Sequence, residues 1–182
     1  MRGSWVLVVG LALAVGPVAR AQGLRAPQNV NVGPGDKQSA ELSTRAALAQ
    51  MNGNAAGAVT LANQGIRANP EDPWPYYNRG MALASLGQVN AAVASLTEAE
   101  KRFSDHDLWG KSVAIYGRAH TLSQVGRCAE AREAYEQYAT LVEPHDAEDA
   151  RMARRYAATC HPAPIAPAPS AAAPTTEPPA AK

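Results

Sequence analysis

The stretch YYNRGMALASLGQVNAAVASL, residues 76–96, decides the fold. It reads as two helices joined at one glycine. Gly80 falls inside an apolar helical pattern, where glycine costs about 1 kcal/mol relative to Ala. A glycine there fits a point where two helices approach too closely for a side chain. Gly87 follows seven residues later, and a new pattern starts at once. That fits a left-handed residue closing the first helix. The second helix carries Val89, Ala92, Val93, Leu96, Ala99 and Phe103 at i, i+3, i+4, i+7 spacing.

The pairing extends in both directions. Upstream, SAELSTRAALAQMN stops at Gly53, and NAAGAVTLANQGIRA runs to Asn69-Pro70. Downstream, LWGKSVAIYGRAHTLSQV stops at Gly126, and CAEAREAYEQYATLV runs to Pro144. A last helix, DAEDARMARRYAATC, closes the block with acids early and arginines late, which suits the helix dipole. Asp72 before Pro73 marks a helix start. Asn54, Asn90 and Asp146 are expected to cap the helices that follow them. Gly57 and Gly65, inside one helix, mark the first pair as the softest.

The pairs are copies of one unit. Gly53 to Gly87, Ala58 to Ala92 and Arg45 to Arg79 each span 34 residues. Gly87 to Gly126, Ala92 to Ala131 and Arg79 to Arg118 each span 39. A 34-residue helix–turn–helix unit therefore recurs three times, with five extra residues before the third.

The chain resembles the tetratricopeptide repeat family over about residues 39–145. The middle unit matches with Tyr76, Gly80 and Leu83, then Ala92, Leu96 and Ala99. The third matches with Ile115, Ala119 and Leu122, then Ala131, Tyr135 and Pro144. The first is weaker, with Leu42, Ala46 and Ala49, then Ala58, Ala62 and Pro70. Arg45, Arg79 and Arg118 depart from the family's Leu; their stems can pack while the guanidinium reaches water or a carbonyl end. The resemblance implies an all-α, right-handed helical-hairpin solenoid of three repeats plus a C-terminal capping helix, spanning 39–160.

The ends differ from this block. Residues 1–21, MRGSWVLVVGLALAVGPVARA, have a basic start, a short apolar run and Ala19-Arg20-Ala21, the pattern of a secretory signal peptide. Cleavage would leave Gln22 first. Residues 22–38 read as a disordered leader rich in Gly, Pro and Asn. Residues 161–182 alternate Pro and Ala and cannot build a core. An exported protein, periplasmic or extracellular, is the expectation, with no membrane insertion after cleavage.

Charge excludes one class of partner. The chain has 17 Lys and Arg against 16 Asp and Glu. Without Arg2 and Arg20 the balance is 15 against 16, net −1. No basic stripe stands out, so nucleic acid is not an expected partner.

No catalytic constellation, cofactor motif or metal set emerges, and the chain is read as a non-enzyme. Asp105-His106-Asp107 and the acids around Asp146 read as a solvated loop and a helix cap. Cys160-His161 lacks the upstream Cys of a haem-attachment motif. Cys128 and Cys160 carry more information. They stand nearly symmetrically about Pro144, so two antiparallel helices bring them together as a disulfide; two free thiols are the alternative.

The remaining functional surface is the concave face implied by the resemblance. Its register places Ser43, Ala47, Gln50 and Met51 there from the first unit. Trp74, Tyr77, Met81, Ala84 and Ser85 come from the second, and Val113, Tyr116, His120, Ser123 and Gln124 from the third. Trp74, Tyr77, Met81, Tyr116 and His120 form the candidate partner-binding strip, since aromatic and Met side chains are frequent interface residues. Two functions fit: a cell-envelope scaffold binding a protein or extended peptide on that face, or a structural spacer in an envelope enzyme or secretion complex, tethered by the Pro/Ala tail.

Overall fold

The computed structural model of the protein describes residues 34–161. The signal-like segment 1–21, leader residues 22–33 and the tail beyond His161 lie outside the described residues. Seven helices follow one another: α1 (Pro34–Met51), α2 (Ala55–Ala68), α3 (Pro73–Ser85), α4 (Val89–Arg102), α5 (Leu108–Gln124), α6 (Cys128–Val142) and α7 (Ala147–Thr159). Each packs on the next, giving three helical hairpins and a closing helix. No strand occurs among the described residues. The fold is an all-α helical-hairpin solenoid.

The three turns inside the hairpins are built alike. Gly53, Gly87 and Gly126 have φ of 77°, 72° and 71°. Around Gly87, its N–H reaches the Ala84 carbonyl and the Gln88 N–H reaches the Leu83 carbonyl. The same pair of bonds recurs at Gly53 and Gly126, so the last carbonyls of each first helix are satisfied. Only glycine adopts that φ without strain.

Gly80 lies where α3 and α4 cross. A Cβ built on it would sit 2.6 Å from Leu96 Cγ and 3.2 Å from the Ala92 carbonyl oxygen. Ala46 and Ala119, its equivalents, are fully buried, as are Ala58, Ala92 and Ala131 on the facing helices. Gly65 has a similar reason to exist. Its Cβ would meet Pro75 Cγ at 2.9 Å, so this glycine brings α2 close to α3.

Three expectations need correction. The leader does not extend to residue 38, because α1 begins at Pro34. Proline and glycine are tolerated in a first helical turn. That turn is also tied to α2: Asn69 Nδ2 donates to Asp36 Oδ1, and Ser39 Oγ donates to the Gly65 carbonyl at 3.2 Å. Asn54, Asp72 and Asp146 cap their helices as expected, but Asn90 does not cap α4. The turn bonds start that helix early, which leaves Asn90 inside it accepting from Arg127 at 2.8 Å. The repeated arginines also do not reach carbonyl ends. Arg79 donates to Ser95 and Asn63, and Arg118 to Glu100 and Gln137, so each bridges two second helices.

The last helix is held lightly. It packs on α6 and buries Ala150, Ala153, Ala157 and Asp149. Three alanines remove little apolar surface from water. The helix is fastened at both ends instead. At one end, Tyr138 Oη donates to Asp149 Oδ2 at 2.5 Å. At the other, Cys128 and Cys160 form a disulfide with Cα atoms 5.5 Å apart.

Asp149 is 2% exposed, and its Oδ1 has no hydrogen-bond partner. Burial raises its pKa above the ordinary carboxylate value, and the Asp146 charge adds to this, against the opposing Tyr138 hydrogen bond. The native state then holds a proton that the unfolded chain has released. Stability contributed by this group therefore falls as pH rises from about 4, the unfolded value, through the higher folded value. Asp149→Asn keeps an acceptor for Tyr138 and removes the titration. The wild type should gain on this variant by about 1 kcal/mol as pH drops through that window, the scale of an unmatched buried polar atom. Urea melts of both proteins across pH check it; parallel pH profiles would contradict it.

Candidate concave-face binding site

The first helices spread apart along the array. α1 and α3 pack together, α3 and α5 touch at few points, and α5 and α7 make no close backbone approach. The α1–α3 contact consumes part of the expected face: Ser43 is buried, and its carbonyl accepts from Asn78 Nδ2 at 2.9 Å. Met51 stays 71% exposed at the end of α1.

The structure divides the five candidate residues into two groups. Trp74, Tyr77 and Met81 lie on the side of α3 that meets α5. Trp74 is ringed edge-on by Tyr77 at 5.8 Å and Phe103 at 5.1 Å, with Trp109 tilted against it at 5.2 Å. A Cβ on Gly117 of α5 would meet Met81 Sδ at 3.1 Å and Tyr77 Cε2 at 3.6 Å. Burial raises the Tyr77 phenol above its ordinary pKa. This group spends much of its surface joining two repeats.

Tyr116 and His120 form the second group, on the far side of α5. Their rings stack nearly parallel, with centroids 6.1 Å apart. Tyr116 also meets Tyr138 at 5.3 Å and Tyr135 at 5.9 Å, both on α6. Burial raises the Tyr116 phenol, and neighbouring Tyr135 adds to the shift. His120 remains solvent-exposed at its edge, yet partial desolvation lowers its pKa below the ordinary value. Among the described residues, no ring contact joins this group to Trp74 and Tyr77. Trp74 and Tyr77 pack among Phe103 and Trp109, while Tyr116 packs against α6.

Two residues on α7 complete the second group. Arg154 reaches back to Glu136 on α6 as Arg118 reaches back to Glu100 on α4, with both partners 18 residues upstream. This register puts Met152 in line with Tyr116 and Tyr77, and Tyr156 in line with His120 and Met81. Tyr156 is 38% exposed; its hydroxyl lies 3.5 Å from Met152 Sδ, and its ring lies 5.9 Å from Tyr135. By register, Tyr116, His120, Met152 and Tyr156 border the opening left where α5 and α7 make no close backbone approach, and Tyr135 of α6 packs against both Tyr116 and Tyr156. The repeat pattern gives α7 only the role of a cap, so the α7 pair does not stand out in the sequence. The signal was present in the spacing from Arg118 to Arg154.

Asp149, the buried carboxyl nearby, is bonded to Tyr138. Among the described residues, no group of three His, Cys, Asp or Glu side chains could hold a metal ion. Nor is any described helix long and apolar enough to cross a membrane.

Comparison with known proteins bears on the repeat itself. Residues 61–94 match the family model described as the tetratricopeptide repeat. That segment runs from within α2, through α3, into α4, and covers one full period. Protein FlbA of Caulobacter vibrioides is 34% identical over 85 residues. The match covers 46% of this chain and 14% of FlbA.

Proposed function

We propose that this chain, a tetratricopeptide repeat protein, is a non-catalytic scaffold that holds an extended segment of a partner between α5 and α7. The repeat is a protein-interaction module, and that coarse role follows from the family. One observation carries the finer reading. Tyr116, His120, Met152 and Tyr156 stand in the face register beside the place where the first helices separate. Partly exposed aromatic and Met side chains there offer contact area with little ordering cost on the scaffold side.

A cell-envelope location belongs to the same proposal. The signal-like pattern of residues 1–21 supports it, and a disulfide suits an oxidising compartment. N-terminal sequencing of the exported protein should begin at Gln22. A mature chain that keeps Met1 rules the location out.

The binding test uses capture from envelope extract, followed by affinity measurement with the captured partner. Tyr156→Ala and Tyr116→Ala should each weaken binding by about 1–3 kcal/mol. Tyr156 is the cleaner probe, because Tyr116 also packs against α6. If His120 touches the partner, its contribution should change at a pH below about 6.5, the ordinary imidazole value. Deleting residues 161–182 should leave capture intact. Normal binding by both Tyr variants, with capture lost on the tail deletion, would replace this reading with that of a tethered spacer.

A further inference from the structure

The arginine repeated in the first helices has a constant use inside the array. Arg79 on α3 reaches back to Asn63 on α2, 16 residues upstream. Arg118 on α5 pairs with Glu100 on α4 at 3.1 Å, and Arg154 on α7 with Glu136 on α6 at 3.3 Å. Each guanidinium crosses to the second helix of the preceding hairpin, where it meets a carboxylate or an amide oxygen.

Arg45 on α1 occupies the same register, 34 residues before Arg79. Among the described residues, no second helix lies on that side of it. Its side chain is 58% exposed, and its ion pair is with Glu41, 4.0 Å away on the same helix. Such an exposed pair is weak and easily exchanged. Beside it, α1 and α2 border an open cleft of about 510 Å³, lined by Gln38, Leu42, Arg45, Gln64, Arg67 and Ala68. Two guanidiniums and two carboxamides line this cleft, and no carboxylate does.

We propose that this end of the array is a docking face for a helix of another protein that presents a carboxylate to Arg45. The face repeats the chemistry by which α5 receives α4 and α7 receives α6. Leu42, 7% exposed, supplies an apolar floor. Gln38 and Gln64 can each donate and accept at the rim. Arg67 adds a second positive charge, which favours an acidic helix and rejects a basic one. Residues 1–33 of this chain contain no Asp or Glu, so they cannot supply the carboxylate. A second copy offering its outermost helix, α7, would bring acids only in the first turn, Glu148 and Asp149, and Asp149 is already bonded to Tyr138. This face is separate from the opening between α5 and α7, and its test does not depend on that site.

The probe is a helix-stapled peptide with the sequence of α4, Val89–Arg102, made acidic by Lys101→Gln and Arg102→Gln, whose Glu100 answers Arg118 inside the array. It is titrated into the full chain by fluorescence anisotropy. Arg45→Glu should weaken binding at least tenfold, and Arg67→Glu several-fold, with helical circular dichroism unchanged. A peptide carrying Glu100→Arg should bind the Arg45→Glu chain at least tenfold better than the wild type. That exchange separates an ion pair at this face from displacement of the chain's own α4. No measurable binding at millimolar peptide, equal affinity for wild type and Arg45→Glu, or failure of the exchanged pair would overturn the proposal. So would a tenfold gain in affinity on deleting residues 22–33, which would make that segment the occupant. An Arg45-dependent dimer in sedimentation would overturn it in favour of a second copy.

Discussion

Replacing both Cys128 and Cys160 with Ser is expected to cost about 3–4 kcal/mol, the chain-entropy value for closing a loop of this length. The bonded residues are 32 apart in sequence. The loss should be local before it is global. Among the described helices α7 packs on α6 alone and buries mostly alanine, so little apolar area resists its release. What remains after reduction is the Tyr138–Asp149 bond and the pairs from Arg154 to Glu136 and Glu143. The Arg154 pairs are partly exposed and add little. Hydrogen exchange should therefore rise first in the amides of α7 and the first turn of α6, then through α5. Uniform acceleration across α1 to α4 as well would contradict this order. Release of α7 also removes Met152 and Tyr156 from their places beside Tyr116. Reduced protein should bind a groove partner more weakly than oxidised protein.

The second large effect is expected at Gly80. Gly80→Leu should destabilise by about 2–3 kcal/mol, in the range of overpacked cores. The clash is with Leu96, whose Cγ would lie 2.6 Å from the first new carbon, and with the Ala92 carbonyl oxygen at 3.2 Å. Leu96 can change rotamer; the backbone of α4 cannot yield without moving the hairpin. Higher helix propensity of Leu over Gly returns somewhat under 1 kcal/mol, too little to offset the wedge. Gly87→Ala makes the contrast. A Cβ there meets nothing within 4 Å, so its cost comes only from φ of 72°. That cost should be about 1–2 kcal/mol. Denaturant melts of the two variants separate crowding from backbone strain. A Gly80→Leu protein as stable as Gly87→Ala would show that the hairpin opens more easily than its contacts imply.

The repeat, its period and its turns were legible in residues 76–96 and their copies. Local chemistry explains why. A left-handed turn needs glycine, a close helix crossing needs a missing or small side chain, and both leave marks at fixed spacing. Pairing of Cys128 with Cys160 was legible for a related reason, since two helices of similar length folding back at Pro144 bring those ends together. The start of α1 was less legible. Its Pro and Gly look like loop residues until Asn69 and Ser39 tie that turn to α2.

The site was legible only in part. Register alone placed Tyr77 beside Met81 and Tyr116 beside His120, because residues four apart share a helix face. It could not say how far apart successive first helices lie. That distance depends on packing between hairpins: Gly117 lets α5 meet Tyr77 and Met81, while α7 rests on α6 and stays clear of α5. The sequence by itself therefore determined the hairpin, the period, the turns and the residues of each face. Tertiary structure alone decided which of those faces close on a neighbouring repeat and which stay open. Local backbone chemistry acts through a few residues, whereas the spread of the array sums many weak contacts between elements distant in the chain.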